Sequence, residues 1–233
     1  QFEHTHFCLS FDLPGHGQTR VVDRSFSWSF RHTAEELVHF LNGLEITSFS
    51  LVGYSMGGRL GLYIATVWPH LVQQLVLESA SPGIETAEER QRRIHSDQLW
   101  VQKIRNDPPD QFVHEWYQQP LFDSLRSLKN FPLLLKKRTQ YDPVGISQSL
   151  SGMGQGFQPP LWTALPQLKM PVLLIAGEKD KKYVSLTEKM KNTIPDCSWR
   201  IIESAGHNVH LEKPEQFVTV LEEFFNRRKN GCH

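Results

Sequence analysis

The residues of this chain best suited to chemistry are a serine, an aspartate and a histidine that lie far apart in the sequence: Ser55, Asp180 and His207. A serine hydroxyl becomes reactive when an imidazole takes its proton. The imidazole in turn needs a carboxylate that fixes its tautomer and stabilises its charged form. Because the three types follow one another in the order Ser, Asp, His, the sequence predicts a catalytic triad.

The serine lies in the pentapeptide Gly-Tyr-Ser-Met-Gly, between a short β-rich run and an apolar helical stretch. This pattern is typical of a nucleophile elbow, a sharp turn that lifts the serine hydroxyl above a sheet. We expect Gly53 and Gly57 to be required because a side chain at either position would collide with a neighbouring strand or helix. The N–H of Met56, at the start of the helix, is the predicted oxyanion donor.

The other two members of the triad each follow a predicted strand. Asp180 comes after the strand 172–176, and His207 comes after the strand 199–202. Since the carboxyl ends of parallel strands meet at one edge of a sheet, we expect both residues to lie beside the serine. Three alternatives remain open from the residues alone: Asp180 caps a helix, Glu178 is the true acid, or His207 is a surface loop residue.

The elements that must position these residues alternate between strand and helix, which predicts an α/β fold with a mostly parallel sheet flanked by helices. The predicted strands are 5–11, 49–52, 74–78, 172–176 and 199–202. Predicted helices begin at the capping boxes Thr33-x-x-Glu36, Thr86-x-x-Glu89 and Ser185-x-x-Glu188, and the last helix covers 214–228. Between 85 and 160 only short helical pieces are expected. We therefore predict a core of residues 1–83 and 161–233, with residues 84–160 inserted as a helical cap.

Composition excludes several classes of protein. The 233 residues include 25 basic and 25 acidic side chains, a balance that favours neither nucleic acid nor a membrane surface as a partner. The apolar runs are too short to span a bilayer, and the start of the chain does not resemble a signal peptide. Three cysteines without metal-ligand spacing predict free thiols in a reducing compartment, hence the cytoplasm, or a plastid if the source is a photosynthetic eukaryote. No cofactor is expected. His207 and His210 could suggest a metal pair, but we expect no metal because no third ligand lies nearby.

Four tracts carry a resemblance to a known family: Gly-Tyr-Ser-Met-Gly-Gly-Arg at 53–59, Glu-Ser-Ala-Ser-Pro-Gly at 78–83, Trp-Tyr-Gln-Gln-Pro at 116–120 and Ala-Gly-His-Asn-Val-His at 205–210. With them the chain resembles the 2-succinyl-6-hydroxy-2,4-cyclohexadiene-1-carboxylate synthases of menaquinone and phylloquinone biosynthesis, which have the α/β-hydrolase fold. The resemblance implies a lyase. It would eliminate pyruvate from 2-succinyl-5-enolpyruvyl-6-hydroxy-3-cyclohexene-1-carboxylate, a small polycarboxylate, and leave the cyclohexadiene.

The resemblance also implies a set of substrate-binding residues: Tyr54, Arg59, Arg93, Trp116 and Arg138. Guanidinium groups suit this substrate because they bind carboxylates bidentately. Alternatives remain for the residues of the cap. Arg93 could pair with Asp97 one turn along a helix, Trp116 could belong to the cap core, and Lys137 competes with Arg138 for the same role.

One feature of the family is missing. A His-Gly motif after an earlier strand would supply a second oxyanion N–H, and none precedes Asp12. We expect N-terminal strands of the fold to be missing from this sequence. Two rival functions use the same fold: a serine hydrolase of a small ester or C–C bond, and a non-catalytic binding protein. The sequence leaves the oligomeric state open.

Overall fold

A parallel sheet lies at the centre of the computed structural model, which describes residues 2–19 and 28–226. Within that part of the chain the sheet has four strands: β1 (Phe49–Tyr54), β2 (Val72–Glu78), β3 (Val172–Gly177) and β4 (Cys197–Ile202). They are hydrogen-bonded in the order β1-β2-β3-β4, all parallel. Each is slightly longer than its prediction, and the α/β fold class is confirmed.

Helices cover both faces of the sheet because successive strand residues point to opposite sides. On one face, Leu75 and Leu77 of β2 pack with Leu62 in a large apolar cluster that also includes residues of the flanking helices. On the other face, Val76 packs in a second cluster with Phe224. The helices outside the region between β2 and β3 are α1 (Phe30–Gly43), α2 (Met56–Val67), α8 (Lys181–Lys191), α9 (Val209–Glu212) and α10 (Pro214–Asn226). The predicted last two residues of α10 lie outside the described residues.

Two helices begin earlier than the sequence predicts, because a better cap lies upstream. The side chain of Ser29 accepts a hydrogen bond from the N–H of His32 and starts α1, so that the predicted cap Thr33 is buried inside the helix. Likewise Asp180 caps α8, five residues before the predicted cap Ser185. A short polar side chain caps a helix by accepting from an N–H of the first turn, and the first residue able to do so sets the start.

The predicted buried strand at 5–11 is wrong. This segment has no regular structure and is exposed, with Phe7 83% accessible to solvent. A strand is stabilised by hydrogen bonds to a neighbour, and among the described residues no strand lies beside this segment. Its contact with the rest of the fold includes the edge of the Phe11 ring packed on Phe40 of α1, with ring centroids 5.6 Å apart.

The region between β2 and β3 is helical, as predicted. It contains α3 (Ala87–Asn106), α4 (Pro109–Tyr117), α5 (Asp123–Arg126), α6 (Phe131–Arg138) and α7 (Pro143–Met153), and we call residues 87–153 the helical insert. The capping box at Thr86 is confirmed: its hydroxyl accepts from the N–H of Glu89 and starts α3. With 20 residues, α3 is much longer than the short pieces expected. The division into core and cap domains stays a prediction.

Two further properties concern the described residues alone. None of their helices has the length and apolar character needed to cross a bilayer. Cys8 and Cys197 are free thiols, and burial raises the pKa of Cys197 to about 11. A thiol with so high a pKa is almost entirely protonated near neutral pH and therefore a poor nucleophile. Cys232 lies outside the described residues.

Candidate active site

The elbow holds Ser55 in a strained conformation between β1 and α2. Its φ of 47° and ψ of −107° lie where a residue with a side chain is rarely found. Such a conformation raises the free energy by about 1–3 kcal/mol and persists only when the surroundings enforce it. Here the N–H of Ser55 donates to the carbonyl of Glu78 at 2.8 Å, and its own carbonyl accepts from the N–H of Arg59. The turn is therefore fixed between the sheet and the first turn of the helix.

Close packing around the elbow requires glycine at two positions, one of which differs from the prediction. A Cβ on Gly53 would lie 2.6 Å from the carbonyl oxygen of Gly57 and from Cα of Gly58. A Cβ on Gly57 would meet nothing within 4 Å, so the predicted need for glycine there is wrong. Gly58 is the crowded position instead, since its Cβ would lie 2.6 Å from that of Ala80. The reason is that position 58, and not 57, faces the segment that follows β2.

The three predicted triad residues meet at the carboxyl edge of the sheet. His207 Nδ1 lies 2.7 Å from Asp180 Oδ2, and His207 Nε2 lies 3.2 Å from Ser55 Oγ. A carboxylate can only accept, so the imidazole proton belongs on Nδ1 and the lone pair of Nε2 faces the serine hydroxyl. The histidine and aspartate are 2% and 8% exposed, which excludes the surface-loop reading of His207.

Asp180 combines its predicted place beside the histidine with one of the alternatives that the sequence left open, the helix cap. While Oδ2 faces the imidazole, Oδ1 accepts from the N–H of Tyr183 and caps α8. The competing carboxylate, Glu178, instead accepts from the N–H of Ser204 at 2.9 Å. The geometry therefore favours Asp180 as the acid of the triad, with its orientation fixed by the helix that it caps.

Met56 is the first residue of α2, directly after the serine. The first N–H groups of a helix have no acceptor within the helix and carry its partial positive charge. Met56 also lines the cavity into which Ser55 opens. Its N–H is thus available to an oxygen that becomes negative during a reaction at this site.

A cavity of about 1260 Å³ lies above the triad, between the sheet edge and the helical insert. Its wall includes Ser55 and His207 as well as side chains of the insert. All five predicted substrate-binding residues line it: Tyr54, Arg59, Arg93, Trp116 and Arg138. Lys137, the predicted competitor of Arg138, lines the cavity too.

Arg59 is a buried cation with few protein partners. It is 6% exposed, donates from one terminal nitrogen to the carbonyl of Met153 at 3.1 Å, and lies over the ring of Phe30. No carboxylate among the described residues forms an ion pair with it. Burial lowers the pKa of Arg59 to about 10, which still leaves it charged at neutral pH. Because a buried charge is unfavourable without a counter-charge, this position favours an anionic ligand.

Arg93 pairs with Asp97 and also lines the cavity, so both possibilities that the sequence left open for it are compatible with the structure. Its Nε donates to Asp97 Oδ1 at 2.7 Å, which is the predicted pair one turn along α3, and the residue also lines the cavity. A terminal nitrogen donates to the side-chain oxygen of Gln155. Burial raises the pKa of Asp97, and the nearby Arg93 opposes that shift. The guanidinium is therefore held in place by two protein acceptors.

Tyr54 lies between two histidines. The centroid of its ring is 5.4 Å from that of His207 and 4.8 Å from that of His210. Burial, with a further contribution from Glu78, raises the pKa of Tyr54 well above its usual value, so the phenol stays neutral. His210 is held by the carboxylate of Glu78, which is 1% exposed and accepts from both the ring Nδ1 and the backbone N–H. This pair, in which the carboxylate is buried and the imidazole partly exposed, fixes the segment that follows His207.

Trp116 and Arg138 come from the helical insert. Trp116 packs against Trp100, with ring centroids 5.1 Å apart, so it belongs to the core of the insert as well as to the cavity wall. Burial raises the pKa of Tyr117 and of Tyr54, and in both cases the positive charge of Arg138 opposes the shift. The charge of Arg138 is therefore within electrostatic range of both tyrosines, and Tyr54 lies beside His207.

Comparison with known proteins identifies the family. A sequence profile for the alpha/beta hydrolase fold matches residues 1–214. The 2-succinyl-6-hydroxy-2,4-cyclohexadiene-1-carboxylate synthase of Serratia proteamaculans is 32% identical over 93% of this chain and 82% of its own length. A Bacillus subtilis protein that provisionally carries the same name is 35% identical over 93% of this chain and 80% of its own. The chain belongs to this synthase family. The structure of MenH from S. aureus is also similar, with a TM-score of 0.87, 32% identity, and coverage of 94% of this chain and 82% of that one.

The sequence of this synthase-family member was therefore enough to identify its family. It did not predict several of the residues that lie at the site. Gln155 and Tyr183 line the cavity and are hydrogen-bonded to each other at 2.9 Å, although 28 positions separate them. The pair of Glu78 and His210 was also missed. For Tyr183 a signal did exist: it is the third residue after the predicted acid Asp180, where a capped helix turns its side chain back toward the cap. For the other residues no local pattern predicts the contact. Among the described residues no group of three or more His, Cys, Asp or Glu could hold a metal ion.

Proposed function

We propose that this protein is a carbon–oxygen lyase that converts 2-succinyl-5-enolpyruvyl-6-hydroxy-3-cyclohexene-1-carboxylate into 2-succinyl-6-hydroxy-2,4-cyclohexadiene-1-carboxylate and pyruvate. Family membership supports the reaction. The observation that carries the assignment to particular residues is the 3.2 Å contact between His207 Nε2 and Ser55 Oγ. The same cavity contains Arg59, a buried cation with no ion-pair partner in the part of the chain that the structure describes. The His207–Ser55 pair can remove a proton, and Arg59 can hold an anionic substrate.

The reaction begins at the ring carbon that carries the succinyl group. The hydrogen on this carbon is acidified by the adjacent ketone, and the Ser55–His207 pair takes it as a general base, a contribution worth about 10²–10⁴ in rate. Negative charge then grows on the ketone oxygen, where the N–H of Met56 stabilises it. Removing one such donor raises an activation barrier by about 2.7–4 kcal/mol in comparable sites.

Elimination follows from the electron pair released by that proton. The pair forms a double bond at the deprotonated carbon, the ring double bond moves by one position, and the bond from the ring to the enolpyruvyl oxygen breaks. The ring becomes a 2,4-diene, and the leaving group is the enolate of pyruvate, which takes up a proton. Atoms and charges balance without an oxidant or reductant, so the proposed reaction needs no redox cofactor.

Binding of a substrate with three carboxylates requires fixed positive charge. We assign this role to Arg59, Arg93 and Arg138, which line the cavity from three different elements. Tyr54 and Trp116 supply the aromatic surface against which the ring lies. The helical insert contributes Arg93, Trp116 and Arg138, and this supports a division into a catalytic core and a cap over residues 84–160. A small anionic substrate is the ligand proposed here, and a cytoplasmic location stays a prediction.

The test is a coupled assay of pyruvate release from the enolpyruvyl substrate. Ser55→Ala should abolish release while the melting temperature stays close to that of the wild type. Ser185→Ala is the matched control, because this serine lies exposed on α8 away from the cavity. Equal turnover by Ser55→Ala would remove the proposed base. A burst of alcohol from an activated ester, with an acyl group trapped on Ser55 and no pyruvate released from the natural substrate, would instead establish the serine hydrolase alternative.

A further inference from the structure

Tyr183 touches two members of the triad but has an additional polar group that neither contact uses. It is 4% exposed, and its backbone N–H donates to Asp180 Oδ1 at 3.3 Å. Its ring lies against His207, with centroids 4.7 Å apart. A phenylalanine could make both of these contacts. The hydroxyl therefore needs a separate explanation, because burying one without partners is unfavourable.

The direction of one hydrogen-bond chain determines where the hydroxyl proton can point. A guanidinium group only donates, so the contact between Arg93 and the side chain of Gln155 requires the amide oxygen to face Arg93. The amide nitrogen of Gln155 then faces the Tyr183 oxygen, 2.9 Å away, and donates to it. The tyrosine oxygen is thus an acceptor in this bond, and its own proton is left for another partner.

That partner must lie in the cavity. Tyr183 lines the cavity together with Arg59, Arg93 and Gln155, and no acceptor for its hydroxyl proton is present among the residues that the structure describes. Burial raises the pKa of Tyr183 and the nearby charge of Arg59 opposes the shift, so the hydroxyl is protonated near neutral pH and lies within electrostatic range of the guanidinium. A proton donor beside a buried cation suits an anionic oxygen.

We infer that the Tyr183 hydroxyl binds substrate directly, by donating its proton to a carboxylate that Arg59 also holds. This inference rests on the proposed function for the identity of the ligand. Gln155 is a positioning residue in this arrangement, because it keeps the hydroxyl proton directed toward the cavity. Through Gln155, Arg93 of the insert is connected to Tyr183, whose ring packs on His207.

The test is calorimetric binding of the enolpyruvyl substrate in a Ser55→Ala background, where no turnover interferes. Tyr183→Phe removes the hydroxyl but keeps the ring on His207 and the N–H on Asp180. Loss of one hydrogen bond to a charged group should weaken binding by about tenfold or more. Tyr63→Phe, on the far part of α2 and outside the cavity wall, is the matched control and should bind like the background.

Three substrate analogues, each with one carboxylate replaced by a carboxamide, identify the group that is contacted. The penalty of Tyr183→Phe should become clearly smaller with one analogue, whose neutral amide accepts a weaker hydrogen bond than a carboxylate does, and should persist in full with the other two. An equal penalty with the substrate and all three analogues would overturn the inference, because the hydroxyl would then act only by positioning the histidine. Absence of any penalty would overturn it as well.

A second variant tests the direction of the chain. In Gln155→Glu both oxygens of the new side chain can only accept at neutral pH, so the Tyr183 proton should turn away from the cavity and toward the glutamate. In that background, adding Tyr183→Phe should cause no further loss of affinity, whereas a full additional loss would contradict the inference. Pyruvate release is measured separately, with the wild-type chain that keeps Ser55, Gln155 and Tyr183. If the chain binds the substrate with this pattern but releases no pyruvate, the proposed function fails while the binding inference holds.

Discussion

Replacing Asp180 by asparagine separates the two roles of one carboxylate. In the wild type Oδ2 lies 2.7 Å from His207 Nδ1, while Oδ1 accepts from the N–H of Tyr183 and caps α8. Asparagine has the same shape and is itself a good helix cap. Its oxygen can keep the cap, and its NH₂ group then faces the imidazole. Since that group donates, the imidazole must accept at Nδ1 and carry its proton on Nε2.

A histidine protonated on Nε2 has no lone pair for the hydroxyl of Ser55, although the 3.2 Å contact remains. The same replacement in a serine protease lowers kcat by about 10⁴. We expect a loss of this order for pyruvate release, which corresponds to about 5.4 kcal/mol of activation free energy. Stability should change much less, because the lost negative charge at the start of the helix contributes only about 0.3–1 kcal/mol.

Asp180→Ala is the matched variant, since it removes the cap and the partner of the histidine together. Loss of a helix cap lowers the free energy of unfolding by about 0.5–2 kcal/mol. For a chain of this size each kcal/mol shifts the melting temperature by about 2–4 °C. Steady-state pyruvate release and thermal unfolding therefore distinguish the variants: both should be inactive, and the alanine variant should melt at a lower temperature. If Asp180→Asn retained more than a tenth of the wild-type kcat, the carboxylate that orients the histidine would have to be another one.

Three further predictions follow from packing and charge. Gly53→Ala should prevent stable folding or abolish activity, because its Cβ would lie 2.6 Å from backbone atoms. Gly57→Ala, whose Cβ would meet nothing within 4 Å, should melt at or slightly above the wild-type temperature. Similar melting temperatures for the two variants would contradict the packing at the elbow. Because burial lowers the pKa of Arg59 to about 10, kcat/KM should fall as pH rises through about 10, and Arg59→Gln should lack this limb of the pH profile. Burial raises the pKa of Asp97 above its ordinary 3.8, so the folded protein holds this proton to higher pH than the unfolded chain, and the carboxyl contributes less stability as pH rises through that window. The melting temperature of Asp97→Asn relative to wild type should therefore increase as the acid range is crossed upward, and a pH-independent difference would show that the carboxyl does not titrate in this way.

The strands and the triad were predictable because their signals are local. Each strand is a short apolar run followed by a loop, and each triad residue lies in the turn or loop that ends such a run. Once the strands are parallel, their carboxyl ends coincide, so Ser55, Asp180 and His207 had to approach one another. The family resemblance added the predicted substrate-binding residues, all of which line the cavity.

What could not be predicted depends on partners distant in the sequence. An apolar run such as 5–11 has the composition of a strand, but becomes one only where another strand lies beside it. Whether glycine is needed at 57 or at 58 depends on which position faces the segment after β2. Neighbouring helical residues differ in direction by less than a third of a turn, and the sequence does not reveal the rotation of the helix so finely. The bond between Gln155 and Tyr183 exists because the segment just after the helical insert lies close to Tyr183 of α8, and neither residue type nor spacing indicates that approach.

The distribution of charge in the cavity explains how a triad could serve elimination in place of acyl transfer. The Ser–His–Asp geometry alone is equally suited to forming an acyl-enzyme or to removing a proton. Arg93 already has a protein carboxylate at 2.7 Å, which balances its charge. It can therefore orient a ligand through hydrogen bonds but adds little net positive charge. Arg59 has no such partner among the described residues, and it lies deep beside the nucleophile. An anionic substrate held there presents its acidic carbon to the base through the placement of its carboxylates. The geometry of binding, and not the identity of the triad, then selects proton removal as the first step.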